Sequence, residues 1–157
     1  MASFVYDASY TSTGHPKAGT GVCSDVILRG LSDLGFDLKD RMTSDIARNP
    51  ATYRIKRPDK GIDHRRARNQ MTYMQRNPAF RHVPAEPQNL RPGDIIFWST
   101  KGSDWADHVG VIGRYRLPDG WPSIVHHWPG LPVAETGGAN GWKILGVYRY
   151  KPGSRRQ

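Results

Sequence analysis

The sequence changes its apolar period near residue 90, and that change limits the folds open to it. Before this point apolar residues recur every three or four positions. Val22, Val26, Ile27, Leu31 and Leu34 predict a helix over 22–34, with Gly35 as its stop. A shorter helix is predicted near 39–48, ended by Asn49-Pro50. A third is predicted near 63–77, with Met71 and Met74 on one face, arginines on the other, and Asn77-Pro78 at its end. Residues 50–62 read as irregular. Beyond residue 90, Arg91-Pro92-Gly93-Asp94 is a turn and Ile95-Ile96-Phe97-Trp98 a short apolar strand. Residues 107–115 predict a second strand, Pro118-Asp119-Gly120 a turn, and 123–128 a third strand. Gly137-Gly138-Ala139-Asn140-Gly141 reads as a loop, and Trp142–Tyr150 as a last strand of alternating character. Helices first and a meander after predict an α+β fold, with N-terminal helices packed on a C-terminal antiparallel sheet.

A chain of 157 residues predicts one domain with a core that needs no staples. Residues 1–20 are polar and turn-rich and are expected to form an arm, 21–150 the domain, and 151–157 a flexible tail. The 23 basic against 14 acidic residues give a formal charge of +9, which favours polyanionic partners such as nucleic acid, an anionic membrane surface or a bacterial wall. The basic residues are scattered apart from Arg54–Arg57 and His64–Arg68, and there is no RNA-binding fingerprint, zinc-finger spacing or basic zipper, so no nucleic-acid partner is expected. No apolar run approaches the ~18 residues of a membrane span. Met1-Ala2-Ser3-Phe4-Val5-Tyr6-Asp7 has neither a basic n-region nor an apolar h-region, so no signal peptide is read in this chain. One cysteine cannot form an internal disulfide, so the redox compartment stays open.

That cysteine carries the chemistry. Cys23 stands in Gly19-Thr20-Gly21-Val22-Cys23-Ser24-Asp25-Val26, at the start of the first helix. The positive end of a helix macrodipole and its free N–H groups favour thiolate. A cysteine nucleophile needs a base, and the base needs an orienting partner. His108, at the start of the second strand, is the candidate base, and His126, on the next strand, the candidate orienter, with His127 as the alternative. The Cys23 backbone N–H is a candidate oxyanion donor. Each residue also has a plainer reading: Cys23 as inert core, His108 as structural, His126-His127 as a surface pair. His64, His82, His108, His126, His127 and Asp63 offer metal-ligand atoms, but no HExxH, CxxC or facial-triad spacing, so no metal or other cofactor is expected. Trp98 and Trp142 read as core, while Trp105, Trp121 and Trp128 fall near the cleft loops.

Gly21-Val22-Cys23-Ser24-Asp25, Arg91-Pro92-Gly93-Asp94-Ile95-Ile96-Phe97-Trp98, Asp107-His108-Val109-Gly110-Val111-Ile112 and Val125-His126 occur in an order that resembles the NlpC-type peptidoglycan peptidases. Ile62-Asp63-His64-Arg65-Arg66 and the ending Trp142–Tyr150 resemble a bacterial branch of that papain-like superfamily, and the likeness spans residues 6–150. The resemblance implies a papain-like catalytic domain over 21–150 and cleavage of a stem-peptide amide bond by Cys23, His108 and His126. It implies substrate contact by Ser24, a free amine held by Asp25 or Asp63, and carboxylates held by Arg65 or Arg66. Trp128 is expected beside them. Asp63 to Arg66 read equally as a structural ion-pair cluster. The superfamily places Asp before the cysteine and Gly after the serine, whereas Val22 and Asp25 stand there. An enzyme of this kind is expected as a monomer acting in the bacterial periplasm or envelope, or secreted. A type VI effector toxin, a phage lysis enzyme and an envelope enzyme all fit, and a toxin implies a cognate immunity protein that plugs the cleft. A non-catalytic wall-binding module on a degenerate papain-like fold, and an acyltransferase of the same superfamily, are the competing readings.

Overall fold

The computed structural model describes residues 4–153. Its element order is β1 (Val5–Tyr6), β2 (Thr20–Gly21), α1 (Cys23–Asp33), α2 (Leu38–Arg48), α3 (Ala67–Arg76), β3 (Phe80–His82), β4 (Ile95–Ser99), β5 (His108–Arg116), β6 (Pro122–His126), β7 (Ala134–Gly138) and β8 (Lys143–Tyr150). The fold is α+β, with a six-stranded antiparallel sheet in the order β3-β8-β4-β5-β6-β7.

Local chemistry sets the helix ends. Asp25, in the first turn of α1, accepts the Val22 N–H at 2.7 Å, which satisfies a donor the helix itself cannot. At the other end Gly35 takes φ +81°, and the Phe36 N–H reaches back to Leu31 O at 2.9 Å while that of Gly35 reaches Ser32 O. This is a Schellman stop. Asp37 caps α2 through Asp40 N at 3.0 Å, and the residues before Pro50 and Pro78 end α2 and α3.

Successive residues of the sheet face opposite sides. Ile95 and Phe97 of β4, Val109 of β5 and Tyr148 of β8 pack with Ile27, Leu31, Leu38, Met42, Ile46 and Met74 of the helices. Ile96, Trp98, Ile112, Ile124 and Val147 form a second core on the other side with Val83, Leu90 and Ala139. Each such fully buried side chain contributes about 1.5–3 kcal/mol relative to exposure. β4 is buried along its whole length because it is covered on both sides.

Three expectations change. The helix predicted near 63–77 is broken: Asp63–Arg65 is a single 3-10 turn, Arg66 is extended (φ −87°, ψ 125°), and α3 starts at Ala67. The break frees the Arg65 carbonyl to accept Ser24 Oγ–H, and Gln70 Nε2 bridges Ser24 O (3.2 Å) and His64 O (3.0 Å). The segment 1–20 is not merely an arm. Val5 and Tyr6 pair in parallel with Thr20 and Gly21, which brings Tyr6 beside α1. Residues 137–138, read as loop, close β7, an edge strand with no apolar alternation that is held by Glu135 Oε1 accepting from Ser123 Oγ (2.7 Å) and Arg114 N (2.6 Å). Of the expected tail, 151–153 are exposed and 154–157 lie outside the described residues.

A buried ion pair fixes α1 against the 3-10 turn. Arg65 Nε and NH2 donate to Asp25 Oδ1 (3.1 Å) and Oδ2 (2.9 Å), with both side chains almost inaccessible. Removing one member of such a pair leaves the other charged and unpaired. Arg65→Met should therefore lower stability by about 3–5 kcal/mol in urea unfolding. A loss below about 1 kcal/mol contradicts this role for the pair.

Candidate active site

Cys23 is the first residue of α1 and lies against β5, half-buried. The N–H groups of Val109, Ser24 and Cys23 itself face its sulfur. The thiol opens on a groove of about 380 Å³ lined in part by Tyr6, Val22, Ile62, Arg66, Trp105 and Asp107. Burial pushes the thiol up to about 11, and the surrounding N–H groups pull the other way without overcoming it. The thiolate expected from the helix end is thus corrected. Desolvation outweighs the dipole, and the resting group is a neutral thiol.

His108 opens β5 and pairs in register with Trp98 of β4. Its Nε2 lies 2.8 Å from His126 Nδ1. For His108 to take a proton on Nδ1, its Nε2–H must donate to His126 Nδ1, which fixes the required tautomers of both rings. The imidazole is enclosed by tryptophans. Trp98 stacks on it at 5.3 Å between ring centroids, and Trp128 and Trp142 meet it edge-on at 5.1 and 5.2 Å. Trp128 and Trp142 stack on each other at 5.0 Å. This apolar wall, with His126 alongside, lowers His108 to about 4. Among the described residues no hydrogen bond joins Cys23 to His108, and the groove at Cys23 is reached by Asp107, the residue before it. The His108 ring packs with Trp98 and Trp142 of the second core, on the side of the sheet opposite Val109 and the helices.

Of the two adjacent histidines, His126 is the one hydrogen-bonded to His108. His127 is fully buried with neither ring nitrogen hydrogen-bonded, and packs edge-on against Tyr6 at 5.2 Å. Ser24, Asp25 and Asp63 do not line the groove, and Arg65 lines it with its guanidinium committed to Asp25. Ser24 donates to Arg65 O, Asp25 caps Val22 and pairs with Arg65, and Asp63 accepts the Asp59 N–H at 2.6 Å. The Arg65 guanidinium also donates to Ser9 O at 3.3 Å. Arg66 is exposed on the groove, and Trp128 lies outside it, edge-on to His108. Trp121 packs on the second core instead of near the cleft. Among the described residues no three His, Cys, Asp or Glu side chains converge as metal ligands.

Sequence reasoning missed Tyr6, Arg68 and the roles of Trp98 and Trp142. The β4–β5 hairpin register, with Trp98 opposite His108, was the signal for Trp98. Tyr6 depends on a two-residue parallel pairing that leaves no periodic trace.

A family model described as a domain of unknown function, DUF1287, matches residues 1–150. A relative from Escherichia coli (strain K12), named "Uncharacterized protein YijF", is 32% identical over 157 residues, covering 95% of this chain and 75% of that protein. No solved structure matches. The chain belongs to the DUF1287 family.

A neutral Cys23 thiol implies slow alkylation by iodoacetamide at neutral pH, with a rate that climbs above pH ~9 as thiolate forms. A rate already at its plateau below pH ~7 contradicts the neutral thiol. His64, His126 and His127 are lowered with His108, all chiefly by burial. The folded protein therefore binds fewer protons at His108 than the unfolded chain. The stability this contributes is complete above the ordinary 6.5 and is lost as pH falls toward 4. Urea unfolding at about pH 7.5 and about pH 4 should show the loss, and His108→Gln should shrink it by about 3 kcal/mol. An unchanged pH dependence in that variant contradicts the burial of a neutral imidazole.

Proposed function

We propose that this DUF1287 protein is a peptidoglycan hydrolase, which opens an amide bond of the wall's stem peptide by Cys-His-His thiol chemistry on a papain-like, NlpC-type fold. The observation that carries the reading is positional. One of the N–H groups facing the Cys23 sulfur belongs to Val109, and the neighbouring residue, His108, is hydrogen-bonded through Nε2 to His126. Cys23 and the His108–His126 pair thus both lie near the start of β5, on opposite faces of that strand at rest, and the reading needs His108 to turn toward the sulfur when substrate binds. The wall substrate comes from the resemblance to NlpC-type enzymes, and a charge of +9 suits an anionic wall.

The steps follow from the groups present. The Cys23 thiol proton passes to His108 Nδ1 as the sulfur attacks the amide carbonyl carbon, and His126 stabilises the imidazolium. The oxyanion forms near the Cys23 N–H, which as the first residue of α1 has no intrahelical acceptor. The C–N bond breaks, His108 returns the proton to the leaving amine, and a thioester remains on Cys23. Water, losing a proton to His108, attacks the thioester, and the carboxylic product and the thiol are released. A neutral thiol and neutral imidazole at rest require proton transfer to accompany attack, in place of a standing ion pair. The site of action is the bacterial periplasm or envelope, or outside the cell. An effector with its immunity protein, a phage lysis enzyme and an envelope enzyme share this chemistry.

The neutral thiol and the unmade Cys23–His108 bond favour a second reading, a wall-binding module without turnover. Purified protein incubated with sacculi separates the two. The hydrolase reading expects soluble muropeptides, a loss of at least about 10³-fold in Cys23→Ala, and a loss of about 10²-fold or more in His126→Ala, with circular dichroism unchanged. Equal release by Cys23→Ala overturns it. Retention on sacculi with no release by the wild type leaves the binding module.

A further inference from the structure

The groove at Cys23 does not end at Trp105. Arg68, Trp105 and Ala106 line both it and a second depression of about 600 Å³ that extends to Arg54 and Arg76. Two guanidinium groups stack over the Trp105 ring, Arg68 at 4.9 Å and Arg54 at 5.3 Å from its centroid. Trp105 itself is 44% exposed. Bringing two cations to one indole costs repulsion that each cation–π contact, at about 0.5–1 kcal/mol on a surface, only partly offsets.

These arginines differ from five others whose guanidinium groups are engaged within the protein. Arg29, Arg65, Arg76, Arg116 and Arg149 donate to carbonyls or carboxylates of the protein. Among the described residues the side chains of Arg54, Arg66 and Arg68 make no hydrogen bond or ion pair, and Arg68 Nε is buried without a partner. Arg54 is also the one non-glycine residue with positive φ (55°) among those described. A left-handed arginine costs about 1 kcal/mol where glycine would cost nothing, and the position turns its side chain onto Trp105. The nearby carboxylates are engaged elsewhere. Asp104 pairs with Lys143 at 3.0 Å, Asp107 accepts from Thr100 N and Oγ1, and Asp45 pairs with Arg76. Unpaired donors therefore collect at one end of the groove, with no acceptor supplied by the protein.

We propose that Arg54, Arg68 and Trp105 form an oxyanion subsite continuous with the Cys23 groove, and that the substrate class is an acidic peptide whose free carboxylate docks there. The assignment of a carboxylate rests on the amide-hydrolase reading above, since in a peptide the oxyanion near an amide is a carboxylate; a phosphoryl group offers the guanidinium groups the same chemistry. The Trp105 face supports the two cations and leaves their N–H edges for the ligand.

Titration calorimetry on Cys23→Ala reads binding without turnover. The probes are Ala-Glu-Lys, Ala-Gln-Lys and inorganic phosphate. The glutamyl peptide should bind at least about tenfold more tightly than the glutaminyl one, and Arg54→Gln/Arg68→Gln should erase the difference. Arg54→Gln alone, on an exposed turn with no internal hydrogen bond to lose, should reduce it about threefold. Equal binding of the two peptides, or a preference that survives the double substitution, overturns the subsite. Binding of phosphate without the glutamyl peptide overturns the carboxylate assignment. A calorimetric preference for the glutamyl peptide with no hydrolysis of sacculi by the wild type supports the subsite and removes the hydrolase reading. Muropeptide release with no calorimetric preference does the reverse.

Discussion

The Asp25–Arg65 pair decides where the sulfur sits. One carboxylate takes the Val22 N–H, so that α1 begins at Cys23, and takes two guanidinium donors, so that the turn before α3 is locked to the same point. Ser24 and Gln70 repeat the connection through backbone carbonyls. Two buried charges are expensive to desolvate, and a pair of this kind does not raise stability over an apolar substitute. What it supplies is position: an acid and a base that can each be satisfied in one arrangement only, with the helix N-terminus held against β5.

Desolvation is then the dominant electrostatic fact of the site. It raises the thiol and lowers the imidazole, so both groups rest uncharged at neutral pH. Three tryptophans supply the apolar wall around His108, and among the described residues only His126 hydrogen-bonds its side chain. A wall of this kind makes the imidazole a weak base in the empty site. A bound substrate that displaces water and brings a polar carbonyl to the sulfur changes the balance for both groups at once, which is where a hydrolase of this design would gain its rate.

The order of elements was legible because period is a local property. The spans expected at 22–34, 39–48, 95–98 and 107–115 lie close to α1, α2, β4 and β5. The misses share a cause. The break at Arg66 exists because a carbonyl 41 residues away in sequence from Ser24 accepts its hydroxyl, and β1, β2 and β7 are held by partners that carry no period. In the candidate site, residue type and order pointed to Cys23, His108 and His126, and the two histidines meet. The expected ligands Ser24, Asp25 and Asp63 turned inward and Arg65, at the groove wall, is committed to Asp25, since a polar residue beside a nucleophile looks the same in sequence whether it faces substrate or holds the backbone. The helix dipole argued for thiolate because burial, its larger opponent, is invisible in one dimension.

The central claim is that Cys23 forms a bond to substrate carbon. Intact-mass and peptide mapping of protein quenched in acid during turnover of an activated aryl ester of a stem-peptide fragment tests it most directly. The account predicts an acyl mass on the peptide that contains Cys23, accumulating further in His126→Ala as deacylation slows. Turnover with no acyl mass on that peptide, or with the mass on another residue, would contradict it.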